Sequence, residues 1–538
     1  MFVTILVRMH GSSGAYRTTE DANSGSIPRT TPATQDELKG LMKEELRRAT
    51  WESVDIVQNL LPHDSEVASK VSNTVRPTKE NWPGTTSTLE KDYYSPFSGI
   101  LNKTLQAARA VLGKDISSHH KSLSFSKYDD GVDGAHALKP ELVGCDQEIS
   151  KSKKVPWHAI RIPVEIKNSW PDMVAQAATY ARCMFAASSG RQYALVIALN
   201  HISTEVRFLF FHRGGLTASP AFNLKQNDGW MHFIGAMVGL ASVENRFSFG
   251  MDHSFDNSQI ALPLDGRWKV DEWLFIGNCI RGRATQVVRV SRISQAAEPK
   301  TARNKRERRN HSSRGQPGPA TRYTTQARLH APVVALPEFP FAGTSKQTGG
   351  SGQKAASGDR AMAEVNRREA DPNTSPKAKI ERIQRKPENN ALTCSNKILD
   401  LLSNDVPSNL VVKDSWPLVG RNNEKAMYEA VQGLFGVPEV LTSYEVKGPD
   451  GNPHSTMRFL PARRKFWNIW TSVDYPAPTE AGTDPEPEER VQTRHLFKTE
   501  GQDLLDARSP HELLEAILHA MIGVSLHVTV SPPLSSLT

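Results

Sequence analysis

Three residues in the N-terminal half have the right types for metal-assisted chemistry. Glu165 and Lys167 stand two apart in Val164-Glu165-Ile166-Lys167, and on a β-strand that spacing puts both on one face. Glu141, in Lys139-Pro140-Glu141, comes from a separate, earlier segment. Two carboxylates from neighbouring strands can share one Mg²⁺, which prefers oxygen ligands and keeps waters. A lysine beside them can orient or deprotonate a metal-bound water for attack on a phosphodiester. Gln176 and Tyr180 follow on a helix-patterned stretch. A second constellation lies in the C-terminal half. Val411-Val412-Lys413 is an apolar run ending in a lysine, the form of a strand cation that pairs phosphate oxygens. Such a lysine needs a carboxylate partner, and the next helix-patterned stretch offers Glu424 and Glu429. Gly282, in Arg281-Gly282-Arg283-Ala284-Thr285, lies between two strand-like runs, where a turn could cover phosphates.

The first constellation resembles the PD-(D/E)xK pattern of restriction-endonuclease-like domains, with Glu141 where an aspartate is usual. That resemblance implies Glu141, Glu165 and Lys167 as a nuclease-like catalytic set, expected to be vestigial, with Glu141 and Glu165 as the metal ligands.

The elements that must position these residues follow from periodicity. His158 to Lys167 alternates, with Ile160, Ile162, Val164 and Ile166 on one side, which predicts a strand with one buried face. Ser169 is a helix N-cap before Pro171, and Met173, Ala177, Tyr180, Ala181 and Met184 form a stripe. Tyr193–Leu199 and Val206–His212 read as strands, Trp230–Leu240 as a buried helix. A first helix is expected to run to about Asn59 and another from Asn102 to Leu112; residues 63–100 show few regular patterns. Further on, Trp273–Ile276, Gln286–Val290, the run from Asn409 and Val437–Val446 are strand-like, with a helix over Asn422–Gly433. Ser509-Pro510-His511-Glu512 is a capping box, followed by an apolar face of Leu513, Leu514, Ile517, Leu518 and Met521.

Composition sets the limits. The 538 residues carry 66 Lys plus Arg against 58 Asp plus Glu, a net charge of +8. Residues 294–390 alone hold nineteen basic and nine acidic residues, net +10, so the rest of the chain is net −2. The basicity belongs to one segment, which argues against a generally basic nucleic-acid-binding globule. That segment has three aromatics and cannot bury enough apolar surface to offset its chain entropy, so disorder is expected. Four scattered cysteines with no Cys-x-x-Cys pair speak against a zinc ribbon or a disulfide framework. An intracellular protein is expected, cytoplasmic or nuclear, with no membrane span.

The order of motifs resembles the fungal-type protein kinase family. The residues that carry the resemblance are Val164-Glu165-Ile166-Lys167, Gln176-Ala177, Tyr180-Ala181-Arg182, Phe210-Phe211-His212-Arg213-Gly214-Gly215, Gly282-Arg283-Ala284-Thr285 and Val412-Lys413-Asp414-Ser415-Trp416. It covers roughly 34–293 and 405–523. It implies a mixed α/β and α+β chain. With the PD-(D/E)xK-like pattern, residues 34–265 are expected to form a restriction-endonuclease-like α/β domain. Residues 266–293 and 405–523 form a partial kinase-like N-lobe, interrupted by a disordered insertion at 294–404. Disordered tails are expected at 1–33 and 524–538. ATP and Mg²⁺ are the cofactors expected of complete members, with Gly282, Lys413 and Glu424 on the ATP side. No His-Arg-Asp with Asn five residues after the Asp, and no Asp-Phe-Gly, follows Lys413, so the expectation is a truncated, catalytically incomplete homologue. The runner-up is a Mg²⁺-dependent nuclease-like or nucleic-acid-binding domain. The partners expected are an unidentified protein and weak, nonspecific nucleic-acid contact through the basic insertion.

Overall fold

The computed structural model describes residues 35–76, 89–114, 123–128, 132–133, 138–146, 155–188, 190–243, 249–256, 258–264, 267–277, 279–293, 407–420, 424–433, 437–470, 485–498 and 507–530. The expected tail 1–33, the insertion 294–404 and residues 531–538 of the expected C-terminal tail lie outside them.

Helix α1 (Gln35–Leu46) leads to strand β1 (Thr50–Ser53), then to helices α2 (Ile56–Leu60), α3 (Ser65–Val75) and α4 (Tyr94–Val111). Strands β2 (Leu123–Ser126), β3 (Val132–Asp133), β4 (Leu142–Asp146), β5 (Val155–Pro156) and β6 (Ile162–Lys167) precede α5 (Trp170–Ala187). Strands β7 (Tyr193–Asn200), β8 (Glu205–His212), β9 (Gly215–Ala218) and β10 (Phe222–Asn223) precede α6 (Asn227–Ser242). Then come β11 (Phe255–Asp256), β12 (Gln259–Ala261), β13 (Arg267–Ile276), β14 (Gln286–Arg292), β15 (Asn409–Ser415) and helix α7 (Glu424–Val431). Strands β16 (Val440–Glu445), β17 (Arg464–Phe466) and β18 (Thr493–Phe497) and helix α8 (Pro510–Val530) complete the order.

A nine-stranded mixed sheet runs β17-β1-β9-β8-β7-β6-β4-β2, with β10 beside β8. The pairs β1·β9 and β6·β7 are parallel and the others antiparallel. One face packs on α2, α3, α4 and α6 through Ile162, Val164, Phe208, Phe97 and Phe233. The other packs on α1 and α5 through Val196, Phe211, Met42 and Ala177. A seven-stranded antiparallel sheet runs β11-β12-β13-β14-β15-β18-β16 around a third core of Trp268, Val288, Val290, Val412 and Leu496.

Several expectations are corrected by tertiary packing. The helix expected to reach Asn59 stops at Leu46, because β1 is wholly buried between β9 and β17; such pairing overrides a local helical pattern. Gly215 permits it. Its φ is +138°, and a Cβ there would lie 2.2 Å from the Ala49 carbonyl oxygen. The alternation of residues 158–167 does not mark a half-exposed strand. With helices on both faces β6 is buried on both, Glu165 included, as expected of a central α/β strand. Helix α4 begins at Tyr94, eight residues before the expected start.

The expected region boundaries also shift. The second sheet begins at Phe255, not 266, with Phe255 stacked on Trp273 at 5.6 Å. Residues 456–470 leave that sheet and join the first. Strand β17 pairs with β1, Phe459 enters the first core, and Ile469 and Trp470 enter the second. Arg207, ion-paired to Glu52 at 2.5 Å, lies between the Trp170 and Trp467 rings and fastens this return. Helix α8 runs past Gly523 to Val530, since no proline interrupts it before Pro532.

Candidate functional site

Two lysines on strands collect the charged residues singled out in the sequence. Lys167 ends β6. Its ammonium lies 2.9 Å from Glu90 Oε1 and 3.2 Å from both Glu141 Oε1 and Glu165 Oε1. The two-residue spacing on the strand brings Glu165 and Lys167 together, and Glu141 arrives just ahead of β4. Tyr180, one face of α5, donates to Glu165 Oε2 at 2.8 Å. Gln176 donates to Thr179 within its own helix at 3.4 Å, and its side chain also bonds Tyr180.

Glu90 and Tyr94 were missed by the sequence reading. They lie in the stretch without regular pattern, yet Tyr94 donates to Glu90 at 2.6 Å across a spacing of four, and that spacing on a helix is the signal that could have exposed them.

Burial pushes the Glu165 carboxyl up to about 7, against the pull of Lys167 and Tyr180. Burial also raises Glu141. Glu90 is held below its ordinary value because hydrogen bonds from Tyr94 and Lys167 outweigh its burial. Burial would lower Lys167, but the surrounding carboxylates raise it. The cation these carboxylates share is thus the lysine's own ammonium. No group of three or more His, Cys, Asp or Glu among the described residues is arranged to hold a metal ion.

Lys413 lies on β15, third strand of the run β13-β14-β15, and is buried. Its ammonium is ion-paired to Glu424, the first residue of α7 and the helix that follows this strand. Glu429 instead faces Lys425 at 3.9 Å on the exposed side of that helix. Glu424 is bound twice: Oε1 takes Lys413 and Oε2 takes Arg283. Tyr428 donates to Glu424 Oε1 at 2.9 Å and accepts from Lys413 at 3.2 Å. His495, opposite Lys413 on β18, bonds Ser443 at 2.8 Å, and its Nε2 lies 3.7 Å from Glu424. Burial lowers His495 to about 4, so it is neutral at pH 7. Burial alone would raise Glu424, yet Lys413 and Arg283 push it down to about 2.

Gly282 lies in a turn that is tied down. The segment between β13 and β14 is anchored on the first sheet instead of standing free as a flap. Ile280 is part of the second core. The Arg281 amide donates to the buried Glu45 carboxylate at 2.6 Å, and the Gly282 amide to the Arg213 carbonyl at 3.1 Å. Arg213 donates to the Cys279 carbonyl at 2.6 Å with its guanidinium 4.0 Å over Phe185. The amide that would cradle a phosphate is therefore committed. The Phe210–Gly215 motif acts here through Arg213, which holds the turn, a role its sequence did not disclose.

Compared with known proteins, residues 140–310 match the family model of the fungal protein kinase. The matched stretch holds Glu141, Glu165 and Lys167 of the first cluster, and Gly282 and Arg283 of the turn before β14. Lys413 and Glu424 lie beyond the matched residues. No curated protein and no solved structure gives a match.

Proposed function

We propose that the second sheet with α7 is the nucleotide-side lobe of a kinase-like protein, and that this chain binds a nucleotide without transferring its phosphate. The observation that carries the reading is the buried Lys413–Glu424 ion pair. It joins the third strand of an antiparallel run to the helix that follows, the arrangement by which a kinase lysine is held for the nucleotide phosphates. The family match to residues 140–310 supports it from the adjoining strands. Lys413 is the group that would meet the phosphates. Mg²⁺ finds no ligand set among the described residues, and no step is assigned to it. Phosphoryl transfer needs a positioned base and metal-held charge, and neither required motif follows Lys413 in this sequence.

The nuclease-like alternative is the weaker reading, because the three carboxylates close on Lys167 rather than on an open cation position. No helix among the described residues is long and apolar enough to cross a membrane.

The test is ATP binding to the full chain by calorimetry, together with transfer from labelled ATP to a generic protein substrate. Binding that Lys413→Met abolishes, with no transfer, is the expected result. Equal binding by Lys413→Met overturns the nucleotide reading; transfer lost in Lys413→Met overturns the inactive one.

A further inference from the structure

We infer that Arg283 takes over the anion contact that backbone amides make in a phosphate-covering turn, so that nucleotide phosphates are gripped by a guanidinium. The inference rests on the nucleotide reading and adds a residue and a mode of contact to it.

Four observations lead here. First, the turn's amides at Arg281 and Gly282 are already bonded to Glu45 and Arg213, so these two are not available to an anion. Second, the cluster carries surplus positive charge: Lys413 and Arg283 share the single carboxylate of Glu424, and His495 is neutral. Third, the two cations differ in access. The Lys413 side chain is 6% exposed and that of Arg283 41%, so an approaching anion meets the guanidinium first. Fourth, Arg283 is placed by its backbone. Gly282 at φ +112° and Ala284 at φ +41° flank it in left-handed conformations, and the Trp416 amide holds its carbonyl at 2.7 Å. A positive φ at an alanine is uncommon and persists only where the surroundings enforce it.

Within this held frame, Glu424 takes one side of the guanidinium fork, and the Arg283 Nε is buried with no acceptor. A guanidinium carries five donors in a plane and suits phosphate oxygens pairwise. One edge on Glu424 leaves donors for a second anion, and the surplus charge favours one phosphate group.

The test uses the full chain and compares ATP with adenosine by calorimetry in wild type, Arg283→Ala, Arg283→Lys and Lys413→Met, after thermal melts confirm that each variant is folded. The expected result is a loss of ATP affinity of roughly tenfold or more in Arg283→Ala. Arg283→Lys should fall between the two, because it keeps the charge but not the fork. Adenosine affinity should be unchanged in Arg283→Ala. ATP binding by Arg283→Ala equal to wild type, while Lys413→Met loses it, overturns the inference and leaves the nucleotide site standing. Tighter binding by Arg283→Ala also overturns it, showing that the arginine covers the site. ATP binding that Lys413→Met does not alter, or none in wild type, removes the nucleotide reading and this inference with it.

Discussion

Lys167 and Lys413 are both strand lysines locked to glutamates, yet their surroundings have opposite charge. Around Lys167, three carboxylates share one ammonium. Around Lys413, two cations share one carboxylate. The first cluster has negative charge in excess of its one lysine, and burial raises Glu165 toward its protonated form. The second has positive charge left over. A lysine–glutamate pair in a sequence therefore says little about the ligand; the balance of third and fourth charges decides it, and those come from distant segments.

The largest effect should come from removing the one carboxylate of the second cluster. Glu424→Ala leaves Lys413 and Arg283 facing each other, Lys413 almost wholly buried. Breaking a buried pair in this way costs about 3–5 kcal/mol, and denaturant unfolding should show a loss of that order. A loss below about 1 kcal/mol would mean that solvent reaches the pair and that the contrast between the clusters is overstated.

The two clusters should also give opposite pH slopes. Glu424 is lowered to about 2 in the folded chain. Its stabilisation is present above its ordinary value of 4.5 and is lost as pH falls from there toward 2. Glu165 is raised to about 7, so its contribution is full below 4.5 and is lost as pH rises from there through 7. The steepest slope for one proton is about 1.4 kcal/mol per pH unit. Glu165→Gln, which resembles the protonated acid, should flatten stability between pH 5 and 7 and leave the acid limb unchanged. A variant with the wild-type slope between pH 5 and 7 would assign that proton elsewhere.

The smallest effect is expected on α8, which carries exposed apolar side chains and belongs to neither cluster. Leu514 is 66% exposed, so Leu514→Ser should change stability by no more than about 0.5 kcal/mol. Thermal melts check this, and a drop of several degrees would show that the helix face is covered in solution.

The sequence was most informative where spacing is local. Glu165 and Lys167 share a face because a strand repeats every two residues, and the strands at Tyr193 and Val206 are apolar enough to read directly. Glu424 follows Lys413 closely enough for one strand–helix unit to pair them. What escaped were contacts set by tertiary structure. Glu90 joins Lys167 from 77 positions away and Arg283 joins Glu424 from 141, with nothing local to link them. The helix expected through Asn59 was misread for the same reason, because Thr50 and Trp51 become strand only through partners elsewhere in the chain. Gly282 was assigned to phosphates from its neighbours alone, whereas the fate of its amide depends on Arg213.

The return of β17 to the first sheet has a consequence for how the chain acquires its structure. Thr50 and Trp467 exchange hydrogen bonds, at 2.6 Å from the Thr50 hydroxyl and 2.9 Å from the Trp467 amide, across 417 positions. On a growing polypeptide the strand beside β1 is made only about 400 residues after it. Until then β1 offers an open edge, the kind of surface that pairs with foreign strands, and contacts of such long sequence separation close slowly. The first sheet is therefore completed only once β17 has been made, and the open β1 edge in that interval is a route to misassembly.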